Sequence, residues 1–428
     1  MKHELEQQAN QEAENMLSSL KRIYQPEPTA KLRDLLNRLD AVYIQEDLLN
    51  NIRLQKQDNT DAWYEGVGYQ NFVRNNRLWR LIRKHGYELM GEFKKATEEA
   101  FGKLEAEDGE EDAANQKSLS LRTDFAPVRE VYLVFPADVV GEGCNYSHLA
   151  DFYICLIKLI PADLEVVLFV KSAQHARQLR ALKVRERIRF VVHSELESIW
   201  LRDYAGFNRG VRLVKPTFSP KRIGDNMKLL HSLLEVDLAP LDLVWDGGNL
   251  VTNGSLGFIS TRLFKHNPKK SPEEILMIIR SALGISPVWV ELPEQDKLAH
   301  TDGYITFISS NQALVSTYPP TWARLFPEDQ RCVDALARQV EQMGIKVERV
   351  MEYPEPGAGK SGVDSAEGIY VNLLQLNGTW LVPTYGRPGE DELLAQLQHL
   401  NPHGNVMPLD CTQLARMGGV LHCITFCN

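Results

Sequence analysis

Six cysteines in 428 residues are few, and none of them falls in a paired CxxC spacing. That excludes a cysteine-rich structural zinc site and a disulfide-stapled fold. Long apolar runs are missing as well, since no stretch reaches the roughly 18 residues that a membrane-spanning helix requires. Positive charge is in deficit, with 48 Lys and Arg against 57 Asp and Glu and a formal net charge of −9. Such a chain has no sequence-wide basic field to hold nucleic acid or an anionic membrane. The first residues, "MKHELEQQANQEAENM", are charged and carry no apolar signal core. The expectation is a cytoplasmic protein with reduced thiols, without a nucleic-acid or membrane partner and without a metal or other cofactor.

What is present divides the chain in two. Apolar residues recur at helical spacing in "TAKLRDLLNRLDAVYIQEDLLNNIRL" and in "QNFVRNNRLWRLIRKHGYELMGEFKKATEEAFGKL". This region ends in the acidic "EAEDGEEDAANQKS", which reads as a solvated linker. Residues 1–120 are therefore expected to be an all-α N-terminal extension plus linker, with a packing or homo-oligomer-forming role. From residue 121 to 428 the texture becomes short β-rich runs alternating with helices. "NLVTNGSLGFIST" turns at Asn253-Gly254 and "IYVNLLQLNGTWLVPTY" at Asn377-Gly378, both hairpin signals. Hairpin, helix, strand recurs four times at spacings of very roughly 45 to 70 residues, the range of propeller and array repeats. A fifth unit begins at "VYLVF" (131–135) but lacks one hairpin partner. The terminal "GVLHCITF" supplies it, closing a ring and hiding both sheet edges. The fold class expected is α/β: a five-bladed, pseudo-symmetric propeller over residues 121–428.

Four polar clusters sit at the ends of the repeat strands: Trp200-Leu201-Arg202-Asp203, Asp246 to Asn249, His300-Thr301-Asp302, and Gly418 to Cys423. Taken singly, each has an ordinary explanation in packing, turns or surface pairing. Their order and their matching repeat positions do not. A guanidinium is a flat fork of N–H donors that carboxylates match bidentately. Asp203 and Asp302, from different repeats, could grip opposite sides of such a cation and leave its central carbon facing the Cys423 thiolate. The cation, or a nearby imidazolium, would lower the thiol pKa. His300 could then protonate the leaving ammonia and deprotonate the attacking water.

In this order, W-x-R-D, D-G-G-N, H-x-D and G-G-x-x-H-C-x-T resemble the marks of the guanidino-group modifying superfamily, and within it the agmatine deiminase and bacterial peptidylarginine deiminase family. "YVNLLQLNGTWLVPTYG" is similar to the family's strand pair before the last helix. The resemblance covers about residues 125–428 and none of the helical extension. It implies Cys423 as the nucleophile of a covalent thiouronium intermediate, His300 as general acid/base, and Asp203 and Asp302 as guanidinium ligands. It also implies a pocket lined by Trp200 and shaped by Gly248 and Asn249, with Arg202 and Asp246 beside them. Arg222, in "TFSPKRIGDN", falls where the peptidylarginine branch looks for a substrate carboxylate, although a solvated charge at a helix start explains it equally. Two departures bear on the substrate. The family continues W-x-R-D-x-G-P, where this chain reads Asp203-Tyr204-Ala205-Gly206-Phe207 without the proline, and the glutamine after the last threonine is Phe426. The expected activity is hydrolysis of a small guanidino substrate, agmatine or arginine, to its ureido product and ammonia. A peptidylarginine deiminase, an amidinotransferase on the same fold, a catalytically silent scaffold and a Cys-His peptidase are the competing readings.

Overall fold

The computed structural model describes residues 120–428 except 142–143, 219–220 and 355–363, and it leaves the side chains of residues 141, 144, 221, 222, 226 and 227 outside the description. These residues belong to the compact unit Asn115–Asn428. The expected helical extension, its linker and its oligomer-forming role fall on residues outside those described.

The first sheet starts with β1 (Glu130–Val134), followed by a small ribbon of β2 (Val140–Gly141) and β3 (Cys144–Asn145). Helix α1 (Ala150–Leu159), β4 (Glu165–Val170), α2 (Ala173–Ala181) and β5 (Ile188–Val192) complete its local part. β1, β4 and β5 are parallel. β1 and β4 read as continuous apolar runs because both of their faces are buried. Val131 to Val134 and Val166 to Val170 are fully buried, each large apolar side chain contributing about 1.5–3 kcal/mol relative to exposure.

Four three-stranded sheets follow, each an antiparallel hairpin that then gains a parallel strand. After helix α3 (Leu201–Ala205) come β6 (Phe207–Asn208), β7 (Arg212–Thr217) and β8 (Asp237–Val244). Next are β9 (Val251–Thr252), β10 (Leu256–Ser260), α4 (Pro272–Leu283) and β11 (Ser286–Val290). Then β12 (Ile305–Ser309) and β13 (Gln312–Thr317) lead through α5 (Pro327–Gln342) to β14 (Lys346–Met351). Last are β15 (Leu374–Leu376), β16 (Thr379–Thr384), α6 (Glu390–Leu400) and β17 (Asn405–Asp410). Helix α4 shows why the local sequence suffices. Ser271 caps Glu274 N–H, the Glu274 carboxylate returns to the Ser271 N–H, Pro272 opens the first turn, and Gly284 closes the helix at φ +69°. Its Ile275, Ile279 and Leu283, four apart, face the core.

The terminal strand pairs with β1 as expected, but it is shorter. β18 (Thr425–Cys427) runs antiparallel to β1, with Val131 opposite Cys427 and Leu133 opposite Thr425. Gly418 at φ +103° and a run of turns consume residues 418–424. The Thr425 hydroxyl donates back to the carbonyls of Leu421 and His422 at 3.1 and 3.2 Å, which fixes that coil. Cys423 thus sits in a tight turn ahead of the strand, not on it. Two other expectations shift. The strand near residue 189 ends at Val192, and Trp200 caps α3 instead; the helix expected over 223–235 is broken into three short pieces between Lys221 and Leu233. Both hairpin turns are present. Asn377 and Gly378 both take positive φ, +49° and +87°. Asn253 uses its side chain to accept the N–H groups of Ser255 and Leu256. No helix among the described residues is long and apolar enough to cross a membrane.

Candidate active site

The segments carrying the four polar clusters meet at the ends of these sheets. Trp200 precedes α3, whose single turn aims Asp203 at the Gly247–Asn249 turn, and Asp203 Oδ1 accepts the Gly248 N–H at 3.1 Å. Gly247 has to be glycine, because a Cβ there would run into the Arg202 carbonyl. From the other side, His300 places Nδ1 3.6 Å from Asp203 Oδ1 and Nε2 3.4 Å from Asp246 Oδ2. Two residues on, Asp302 receives the His422 ring at 2.8 Å on Oδ2, and the Cys423 sulfur lies 3.9 Å from the same oxygen. A methyl group at Gly248 would sit 2.6 Å from His300 Nδ1, 2.9 Å from Asp203 Oδ1 and 3.2 Å from Asp302 Oδ2. Three charged side chains from two sequence segments therefore converge on one point.

The electrostatics follow from that crowding. Burial works against a charged ring at His300, but Asp203, Asp246 and Asp302 outweigh it and raise the imidazolium pKa well above its ordinary value. Burial pushes the Asp203 carboxyl up, and Asp246 and Asp302 add to this against the pull of His300 and the Gly248 N–H. The Cys423 thiol is pushed far up by burial, then by Asp302 and Asp203, with only the Val420 N–H and Asn372 opposing. The expected activation by a neighbouring imidazolium is thus outweighed here by two carboxylates. Left to these groups alone, the sulfur keeps its proton at neutral pH. The site as a whole asks for a planar cation, which would offset the carboxylates and favour the thiolate at once.

A cavity of about 340 Å³ has His300, Asp302 and Cys423 in its wall, whereas Trp200, Asp203, Gly248 and Asn249, expected to shape the pocket, are not among its wall residues. A family model for Porphyromonas-type peptidyl-arginine deiminases matches residues 120–427. The chain belongs to this family. It is similar to a protein named agmatine deiminase from Stutzerimonas stutzeri, 24% identical over 357 residues, which covers 72% of this chain and 95% of that one. Among solved structures it is similar to the agmatine deiminase of C. jejuni, with a TM-score of 0.61 and 17% identity over 72% of this chain and 95% of the other. It is likewise similar to that of Enterococcus faecalis, at 0.61 and 18% over 73% and 96%. These structures share the mixed α/β fold described above.

Within this deiminase family member, the remaining sequence-predicted residues are placed as follows. Trp200 stands behind the Cys423 turn: its Cζ3 lies 2.7 Å from where a Cβ on Gly419 would be, and its ring meets Tyr146 edge-on at 6.3 Å. Asn249 is buried and holds the turn, accepting Ser260 N–H on its side chain and Trp245 Nε1–H on its carbonyl. Arg202 does not line the cavity. Its guanidinium lies 3.3 Å from Asp124, and its backbone N–H donates to the Cys423 carbonyl at 3.1 Å. The Arg222 side chain lies outside the described residues.

Two residues at this centre carry no visible motif of their own. Asn372 donates to the Asp302 carbonyl at 3.1 Å and accepts the His422 N–H at 3.1 Å, with the Cys423 sulfur 3.5 Å away. Its only signal is its place in "YVNLLQLNG", one turn before the Asn-Gly hairpin. Asp124 precedes β1 in "RTDFAPVREVYLV", where nothing local distinguishes it from a linker acid.

Proposed function

We propose that this chain is a cysteine-dependent deiminase that hydrolyses the guanidino group of a small cationic substrate, agmatine above arginine. The observation that carries this reading is the convergence of His300, Asp203 and Asp302 on Gly248 with the Cys423 sulfur alongside. The two carboxylates hold the guanidinium from opposite edges, which leaves its central carbon open to sulfur. Substrate charge offsets the carboxylates that hold the thiol protonated, so binding and activation are one event. As the cation binds, the thiol gives up its proton to solvent and the thiolate adds to the guanidinium carbon. His300, as imidazolium, gives its proton to the departing nitrogen, ammonia leaves, and an S-thiouronium remains. Neutral His300 then takes one proton from water as the oxygen attacks the same carbon, and the C–S bond breaks; the remaining hydroxyl proton passes to the leaving sulfur, giving the ureido product and the Cys423 thiol.

The far end of the substrate is addressed by the cavity wall. Asp296 and Asp329 contribute carboxylates there, while Tyr304, Trp322 and Phe326 supply aromatic surface. Among the described residues the wall contains no Lys or Arg. An ammonium at the far end, as in agmatine, meets opposite charge; the carboxylate of arginine meets like charge. In this reading residues 121–428 are the catalytic unit, and the five sheets are the blades of a closed propeller with β18 as the closing strand. The helical extension is left for assembly.

The test is a colorimetric ureido assay read alongside mass spectrometry, with agmatine, free arginine, guanidinoacetate and an arginine peptide offered to the wild type and to Cys423→Ser. A gain of one mass unit on agmatine that disappears in Cys423→Ser is the expected result. Turnover of the peptide alone would move the assignment to protein arginine. No ureido product from any of the four would refute the reading.

A further inference from the structure

His422 has two carboxylates on its ring nitrogens. Nδ1 is 2.8 Å from Asp302 Oδ2, and Nε2 is 3.0 Å from Asp124 Oδ1. His422 and Asp302 are buried, each at 4% exposure, and the Asp124 side chain is partly exposed at 22%. Nδ1 hydrogen-bonds to Asp302, while Nε2 faces Asp124 at ion-pair distance without a hydrogen bond, so a ring protonated on both nitrogens is an imidazolium set between two carboxylates. Behind Asp124 stands Arg202, 3.3 Å away, which also reaches toward the His422 carbonyl with Nε at 3.4 Å. The result is a line of alternating charge, Arg202, Asp124, His422, Asp302, that runs from the back of the site to the oxygen 3.9 Å from the nucleophile. Every charged group facing His422 belongs to it: Asp124 from the segment before β1, Asp302 from the turn before β12, and Arg202 from α3. Cys423 and Asn372 are its uncharged neighbours.

We propose that His422, held as an imidazolium by Asp124, is a positioning residue that locks the carboxylate of Asp302 in the plane needed to grip the guanidinium. The inference rests on the reading of this site as a guanidinium site. Among the described residues Asp302 has no other side-chain anchor of comparable geometry: Asn372 binds its backbone carbonyl, not its carboxylate. Without the ring, that carboxylate would be free to rotate about its last bond. Burial and the Arg202 charge act against a positive His422; the two carboxylates, Asp124 first, prevail and raise its pKa. Partial burial works to raise the Asp124 carboxyl, yet His422 and Arg202 hold it below the usual range.

The experiment compares wild type, Asp124→Asn, His422→Gln and the double variant by steady-state kinetics on agmatine from about pH 6 to about pH 10, spanning the imidazole range. Losing one charge-assisted hydrogen bond to the gripping carboxylate is expected to raise KM about 10- to 100-fold, with a smaller change in kcat. Because both residues act through the same contact, the double variant should be no worse than His422→Gln. In Asp124→Asn the ring loses the carboxylate that keeps its proton, so KM should climb with rising pH in a range where the wild type is flat. Unchanged KM in both single variants overturns the proposal. So do losses that multiply in the double variant while all pH profiles stay parallel, which is the pattern of mere loosening. Should His422→Gln not fold, Asp124→Asn, which alters one atom and no volume, decides by its pH profile. Nitrogen NMR of labelled histidine reads the ring directly and without turnover: an imidazolium signal present in wild type at neutral pH and lost in Asp124→Asn is expected, and a neutral ring in the wild type overturns the proposal. A wild type that turns over no guanidino compound would sink the deiminase assignment, and the NMR result would still stand by itself.

Discussion

Replacing Gly248 by alanine puts a single carbon where His300, Asp203 and Asp302 meet. The added methyl would lie 2.6 Å from His300 Nδ1 and 2.9 Å from Asp203 Oδ1, where ordinary contact begins near 3.4 Å. His300 must therefore retreat by nearly 1 Å, and a misplacement of about 1 Å costs on the order of 100-fold in rate, or about 2.7 kcal/mol of barrier. Backbone strain adds little, since Gly248 does not have the positive φ that penalises other residues. Overpacking of about 1–3 kcal/mol is the stability cost, which a large unit survives with a melting temperature lowered by a few degrees. The assay is kcat and KM on agmatine beside a thermal melt. Met277→Ala, at an exposed position of α4 away from the site, is the control, and its turnover should stay close to wild type. A folded Gly248→Ala protein that keeps kcat/KM within about threefold of wild type, under 1 kcal/mol, would refute the placement of these three groups around one substrate atom.

Three further outcomes are expected. Burial, Asp302 and Asp203 all raise the Cys423 pKa, so iodoacetamide should label Cys423 more slowly than exposed Cys155 at neutral pH; Asp302→Asn removes one of those causes and should speed the labelling. Equal rates in Asp302→Asn and wild type would show the carboxylate is not what holds the proton. The Asp203 carboxyl is raised, so protonation removes one guanidinium ligand at a higher pH than for an exposed aspartate. The acid limb of kcat/KM should accordingly fall off above the ordinary carboxylate range, near pH 4, and a profile flat down to that range contradicts it. At α4, Ser271→Ala removes the cap and half of the capping box, which should cost about 1 kcal/mol in chemical denaturation without changing kcat.

The parts of this site that were legible in the sequence are those whose neighbours also matter. Asp203, Gly248, His300, Asp302 and Cys423 each sit in a short run where a turn, a capping glycine or a second functional residue leaves a pattern. Asn372 and Asp124 leave none, because each reaches the centre alone. Asn372 contacts Cys423 from 51 residues away, and Asp124 meets His422 from the opposite end of the described chain. The same rule separates the fold's successes from its shifts. Alternation and Asn-Gly pairs report hairpins because both are local. The early end of β5 and the late start of β18 depend on what packs against them. "GVLHCITF" looks like one extended run until Gly418 and the Thr425 hydroxyl coil its first half.

The pairing of β18 with β1 sets Val131 opposite Cys427, so one seam ties together stretches from the two ends of the described chain. Contacts between residues so far apart in sequence form late, because the loop they close costs entropy before the contact repays it. The turn that carries Cys423 runs directly into that seam. A molecule that opens there is therefore expected to lose the geometry around the sulfur while its local hairpins persist.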